Sequence, residues 1–255
     1  MQLYVGGLSN DTSENELNEL FSEIGAVKSA TIIKDINSGK SRGFAVVKMT
    51  SDTKAEEAIK QLNGATLGSR QIVVTRVPEM LPGEMEFREW LRDNAFEVLR
   101  KVGVKKGETV LDYGCGPGIF TIPCAKIVGG EGKTYALEVR PHALERVKEK
   151  ARNEGLGNIE TVLSDSSKVT TGLPDESVDA ILVYDVMHAI DDRQGLLKEL
   201  HRVLRRDGFL SIFPMHMGTD KMLKIMNKCD LFYLRDRYGP PGHKTASEIL
   251  NFDKC

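Results

Sequence analysis

The string Asp112-Tyr113-Gly114-Cys115-Gly116-Pro117-Gly118 constrains this chain more than any other. The apolar run Thr109-Val110-Leu111 enters it and a helical pattern from about Ile119 to Ile127 leaves it, so the unit reads as strand, glycine turn, helix. Glycines at alternate positions let the backbone turn tightly and approach a ligand closely, while the new helix offers amides that lack partners within it. A cofactor is expected across that turn. A dinucleotide fingerprint would need a third glycine where Ile119 stands, and a phosphate-binding loop would need Gly-Lys followed by Ser or Thr. Neither pattern fits, which makes hydride transfer the weaker reading and sets ATP hydrolysis aside.

The turn lies in the second of two regions. Up to Val77 the pattern is strand, helix, strand, strand, helix, strand, and Pro78, Pro82 and Gly83 then interrupt it. This predicts a domain over residues 1–77, a linker over 78–84 and a second domain over 85–255. The second opens with one amphipathic helix carrying Phe87, Leu91, Ala95, Val98 and Val102, then alternates strand and helix, the signature of a parallel sheet covered on both faces. With 35 basic and 37 acidic residues the formal net charge is −2, and the first 77 residues carry 9 of each sign. Any polyanion must therefore be met by a local surface rather than by net charge.

In the first region Leu3 to Leu8 alternates as a strand, and Ser13 with Glu16 forms a capping box for a helix to about Ile24. Strands follow at Val27–Lys34, Arg42–Met49 and Gln71–Arg76, with a polar loop at Asp35–Lys40 and a helix at Asp52–Leu62. Leu3–Leu8 and Arg42-Gly43-Phe44-Ala45-Val46-Val47-Lys48-Met49 resemble the hexamer and octamer of an RNA recognition motif. The resemblance implies an α+β, ferredoxin-like fold and single-stranded RNA stacked on Tyr4 and Phe44. Arg42 and Lys48, with Lys34 and Arg76 nearby in the pattern, are candidates for phosphate contacts. Val46 stands where a third aromatic is usual. Stacking contributes about 1–3 kcal/mol per base, so the resemblance implies a weaker or shorter footprint, micromolar at best.

The second region resembles the class I S-adenosylmethionine-dependent methyltransferases, an α/β, Rossmann-like fold with a seven-stranded, mostly parallel sheet. The glycine turn matches their first motif, and strand ends follow in order: Thr134–Leu137 before Glu138, Ile159–Leu163 before Asp165-Ser166, Val178–Tyr184 before Asp185, and Phe209–Phe213. Leu231–Arg237 and Ser247–Phe252, separated by Gly239-Pro240-Pro241-Gly242, fit the antiparallel pair that ends such a sheet. The resemblance implies S-adenosyl-L-methionine held by Asp112, Gly114, Gly116, Gly118, Glu138, Asp165 and Ser166, with Glu138 accepting the ribose hydroxyls.

The strand ends look most like the ubiquinone-biosynthesis-like group, whose acceptors are diverse. His188 and Asp185, just past the fourth strand, are the candidates for helping an acceptor lose its proton, with His216 a lesser one. The readings are an enzyme that methylates RNA or an RNA-associated substrate, a small-molecule or protein methyltransferase merely tethered to RNA, and a cofactor sensor without turnover. Cys115, Cys124, Cys229 and Cys255 form no Cys-x-x-Cys pair, so no metal is expected and a reducing, cytoplasmic setting is. No apolar run approaches the roughly 20 residues that span a bilayer, and the chain opens without a basic and then apolar leader, so neither membrane insertion nor secretion is expected.

Overall fold

The computed structural model describes residues 1–34, 39, 41–77, 84–165, 169–239 and 247–255, with the backbone alone at 42 and 84–86. The expected polar loop (apart from Gly39), the proline joint, Ser166 and all of the Gly239–Gly242 turn except Gly239 lie outside them. The chain divides into two compact units, Met1–Glu79 and Met80–Cys255.

In the first unit β1 (Gln2–Gly6), α1 (Glu14–Ser22), β2 (Val27–Lys34), β3 (Ser41–Met49) and α2 (Asp52–Leu62) follow the expected order. The capping box at α1 is complete: the Ser13 hydroxyl accepts from the Glu16 amide and the Glu16 carboxylate accepts from the Ser13 amide. The last expected strand is split. Arg70–Gln71 (β5) folds back on Thr66–Leu67 (β4) as a separate hairpin, and only Val73–Arg76 (β6) joins the main sheet. That sheet has the order β2-β3-β1-β6, antiparallel throughout. Period-two alternation sends Leu3, Val5, Ala45, Val47 and Val74 into a core with Leu17, Phe21, Ala55 and Ala58 of the two helices. The opposite face, with Tyr4, Phe44 and Val46, stays outside that core.

The second unit begins with α3 (Glu84–Asp93) and α4 (Ala95–Val102), two helices where the sequence pattern predicts one. Asn94 leaves helical geometry and its side chain donates to the Trp90 carbonyl at 2.8 Å, which competes with helix continuation. The apolar stripe survives the break, and Phe87, Leu91, Ala95, Val98 and Val102 are all buried. Then come β7 (Thr109–Tyr113), α5 (Thr121–Val128), β8 (Lys133–Glu138), α6 (Pro141–Asn153), β9 (Ile159–Leu163), β10 (Val178–Tyr184), a 3-10 turn at Met187–Ala189, α7 (Arg193–Val203), β11 (Leu204–Phe213), α8 (Thr219–Met226), β12 (Phe232–Tyr238) and β13 (Ile249–Lys254).

These strands form one seven-stranded sheet in the order β12-β13-β11-β10-β7-β8-β9. The five central and edge strands β11 to β9 are parallel, and β13 is antiparallel to both β11 and β12. Strand β10 is an almost continuous apolar run because both its faces are covered. Ile181 and Val183 pack in the cluster with Leu196, Leu200 and Val203 of α7, whereas Ala180, Leu182 and Tyr184 pack in the cluster with Leu99 and Cys124. The order of strands reverses between β7 and β10, which opens a crevice beyond their carboxyl ends.

One polar network is buried outside that crevice. Glu199 of α7 accepts from the Thr171 amide (2.7 Å), the Thr171 hydroxyl (2.6 Å) and Arg202, and so ties the segment before β10 to the helix. The bonds from Arg202, outweighing burial, hold its carboxyl down at about 2 from an ordinary value of 4.5. A carboxyl lowered on folding stabilises fully above the unfolded value and loses that contribution as pH falls through the folded one. Glu199→Gln is expected to cost about 2–3 kcal/mol at neutral pH. The deficit should shrink as urea unfolding is repeated from about pH 4.5 down toward 2, and a pH-independent deficit would contradict this account.

Candidate functional site

The carboxyl end of the parallel sheet is built outward from Asp112. This residue is 2% exposed and its Oδ2 accepts from the Thr121 hydroxyl at 2.6 Å, a bond that ties the strand before the glycine turn to the helix after it. Burial pushes the Asp112 carboxyl up to about 7, against the Thr121 bonds and with help from the nearby Glu138 charge. Gly114, Gly116 and Gly118 all have left-handed backbone. At Gly114, with φ +75°, a β-carbon would also lie 2.7 Å from the Val186 side chain, so the turn at the end of β7 presses against the segment leaving β10. Only glycine meets both conditions at this position.

The turn is fastened to β8 by the Gly114 and Cys115 amides, which both donate to the Leu137 carbonyl. Glu138, at the very end of β8 and 4% exposed, accepts from the Gly116 amide at 3.0 Å through Oε2. Its Oε1 accepts from the Val139 and Arg140 amides, and the Arg140 guanidinium bonds to both oxygens. Burial raises the Glu138 carboxyl, but the Arg140 bonds outweigh it and hold it below the usual range. The Ser164 amide donates to the Glu138 carbonyl, which brings Asp165, an exposed residue, to the same rim. The sequence pattern missed Arg140, Thr121 and two exposed apolar side chains at this rim, Val139 (44%) and Leu163 (60%). Only tertiary contact distinguishes them.

Beyond β10 and β11 lie Asp185 and His188, and beside them His216. Asp185 Oδ1 is 3.7 Å from His188 Nδ1 and 3.4 Å from His216 Nε2, and the two imidazole rings cross at 75°. Arg88 reaches the other Asp185 oxygen at 3.6 Å. Asp185 (φ +58°) and His216 (φ +64°) both hold left-handed backbone, a strain of about 1–3 kcal/mol for each non-glycine residue that clusters at functional sites. His216, the lesser candidate from sequence, is thus as well placed as His188. Cys115 and Cys124 are buried in the core clusters, and burial pushes both thiols up, away from nucleophilic chemistry.

In the first unit Tyr4 and Phe44 lie side by side, with ring centroids 5.5 Å apart. The Tyr4 ring lies across Gly6: a β-carbon there would come within 2.7 Å of it. Lys48 follows Phe44 and Val46 at strand period, on their face. The side chain of Arg42 is outside the described residues. Arg76 departs from expectation, because it shares the helix-side face with Val74 and pairs with Glu56 of α2.

An antiparallel four-strand sheet with a paired aromatic face, followed by a parallel sheet with a glycine turn and carboxylates at its strand ends, defines an RNA-recognition domain joined to a class I methyltransferase fold. Residues 3–73 match the RNA recognition motif family and residues 111–212 match the methyltransferase domain family. A demethylmenaquinone methyltransferase of Geobacillus stearothermophilus is 32% identical over 120 residues, 47% of this chain and 49% of that protein. The mitochondrial glycine-rich RNA-binding protein 4 of Arabidopsis thaliana is 41% identical over 78 residues, 31% of this chain and 57% of that protein. The chain spans about half the length of these curated relatives. A SAM-dependent methyltransferase from Aquifex aeolicus shares the fold, with a TM-score of 0.55 at 24% identity over 66% of this chain and 93% of that one. Among the described residues no helix is long and apolar enough to cross a membrane.

The unfolded Asp112 carboxyl titrates near 3.8 and the folded one near 7, so the folded state binds the proton more tightly between those values and stability falls as pH rises. Asp112→Asn is expected to remove this slope. Urea midpoints of the two proteins at about pH 5 and 7.5 test it, with the variant gaining relative to wild type at the higher pH. An identical offset at both would refute the assignment.

Proposed function

We propose that this chain is an S-adenosylmethionine-dependent methyltransferase that uses its first domain to bring single-stranded RNA to the methyl donor. The observation that carries the reading is the rim assembled by Gly114, Gly116, Glu138 and Asp165 at the switch point of the parallel sheet. A sugar diol donating to Glu138 takes over bonds that the Arg140 guanidinium makes in this structure. Val139 and Leu163 offer apolar sides for the adenine, with Asp165 at its edge, and the open backbone of the glycine turn accommodates the amino-acid portion. Asp112 acts one step back, by fixing the turn through Thr121.

Methyl transfer from a sulfonium to a bound nucleophile demands chiefly that donor and acceptor be held in line, because the leaving group departs as a neutral thioether. Asp185, His188 and His216 then form the polar wall on the acceptor side, next to the turn through the contact of Gly114 with Val186. The RNA face consists of Tyr4 and Phe44 as stacking platforms with Lys48 toward phosphates. A tethered module raises the local concentration of its ligand, which favours RNA or an RNA-associated substrate as acceptor. The similarity to demethylmenaquinone methyltransferases favours a second reading, a small-molecule acceptor with RNA serving only as a tether. Four free cysteines, two of them buried, suit a reducing compartment, and a cytoplasmic location is part of the proposal.

Glu138→Ala is expected to weaken S-adenosylhomocysteine at least about tenfold by calorimetry, the cost of a charge-assisted bond to each hydroxyl, and unchanged affinity would remove the cofactor assignment. The double variant Tyr4→Ala/Phe44→Ala is expected to weaken single-stranded RNA by at least about thirtyfold, from two lost stacking platforms. Label from a tritiated methyl donor should enter RNA with the wild type and fall with that variant. Label confined to low-mass material and unaffected by the variant would select the second reading.

A further inference from the structure

We propose that Asp185, His188 and His216 form a binding site for a single divalent cation of the zinc class. The sequence offers no metal signature, because the three residues come from two loops and share no motif spacing. In the fold, one ligand atom from each lies within 4.8 Å of the others. Ligands about 2.1 Å from a tetrahedral zinc ion stand about 3.4 Å apart, and the separations here are 3.4 Å for Asp185 to His216 and 3.7 Å for Asp185 to His188. Modest side-chain rotations close the set around one ion. Two imidazoles and one carboxylate suit zinc, cobalt, nickel or ferrous iron rather than magnesium or calcium, which prefer all-oxygen sites.

The surroundings hold these ligands in place. The Asp185 amide donates to the Phe213 carbonyl, which locks the ends of β10 and β11 together. Arg193 donates to the Met187 and His188 carbonyls and fixes the 3-10 turn that carries His188. Arg88 faces the second oxygen of Asp185 and leaves Oδ1 to the two imidazoles, an outer partner of the kind that orients metal-binding carboxylates. Two of the four described non-glycine residues with left-handed backbone are Asp185 and His216, so their side chains are aimed by backbone geometry that such residues rarely adopt. Three protein ligands leave a coordination position open, as zinc sites that bind substrate do. That position suits an oxygen donor of the acceptor, a role that rests on the methyl-transfer reading, whereas the site itself rests only on the geometry.

The test uses the full-length protein, stripped with a chelator and titrated with Co2+ as a coloured probe, then with Zn2+ in competition. One Co2+ per chain is expected, displaced by one Zn2+. His216→Ala and His188→Ala should each weaken binding at least about tenfold, the loss of a metal-ligand bond. Calorimetry with S-adenosylhomocysteine on the same samples reports whether each variant is folded, and His188→Ala, on a partly exposed turn, decides the matter if His216→Ala does not fold. Absence of stoichiometric binding, or equal affinity in wild type and the His188→Ala/His216→Ala double variant, overturns the site. A chain that binds S-adenosylhomocysteine but no Co2+ loses this inference and keeps the methyltransferase reading. One that binds Co2+ through these residues but not S-adenosylhomocysteine does the reverse.

Discussion

The hydrogen bond from the Thr121 hydroxyl to the buried Asp112 carboxyl, with the close approach of Gly114 to Val186, holds together the part of the molecule on which everything else depends. The first fixes the distance between the end of β7 and the start of α5. The second lets the turn lie against the chain that leaves β10. Between them they set the mouth of the crevice at the point where the strand order reverses, and Glu138, Asp165 and Asp185 take positions around it as successive strands end. An elevated Asp112 carboxyl is the consequence of burying an acid for this structural purpose, because its bonds to Thr121 offset only part of the desolvation.

Two halves of this rim differ in how their charge is managed. At the end of β8 Glu138 is saturated by amides and by Arg140, an arrangement that keeps a nearly buried carboxylate ionised and rigid. At the end of β10 Asp185 faces two imidazoles and an arginine at longer distances, on backbone that is itself strained.

The first domain solves a different problem, how to keep two large aromatic rings on a wet sheet face without losing them to the core. Alternation along β1 and β3 directs Leu3, Val5, Ala45 and Val47 inward and leaves Tyr4 and Phe44 outside, and the missing side chain at Gly6 gives the Tyr4 ring room to lie flat. The rings contact each other at 5.5 Å, so they form a continuous platform rather than two separate ones.

Much of this was written locally in the chain. The capping box at Ser13, the alternation of β1 and β3, the apolar run of β10 and the glycine turn are each encoded within a few residues, and so both folds, the strand ends and the carboxylates placed at them were legible without coordinates. What required the tertiary structure was every feature that depends on which segments meet. Asn94 divides a helix whose apolar stripe reads as continuous, Gln71 leaves the main sheet for a hairpin, and Arg76 turns to Glu56 on the helix side. His216 comes to Asp185 only because β10 and β11 are neighbours, and Arg140 and Thr121 acquire their roles from carboxylates buried beside them. Local periodicity determines elements and faces, because it acts between residues adjacent on one strand or helix; pairing across the sheet determines the site, because burial and electrostatics act through space.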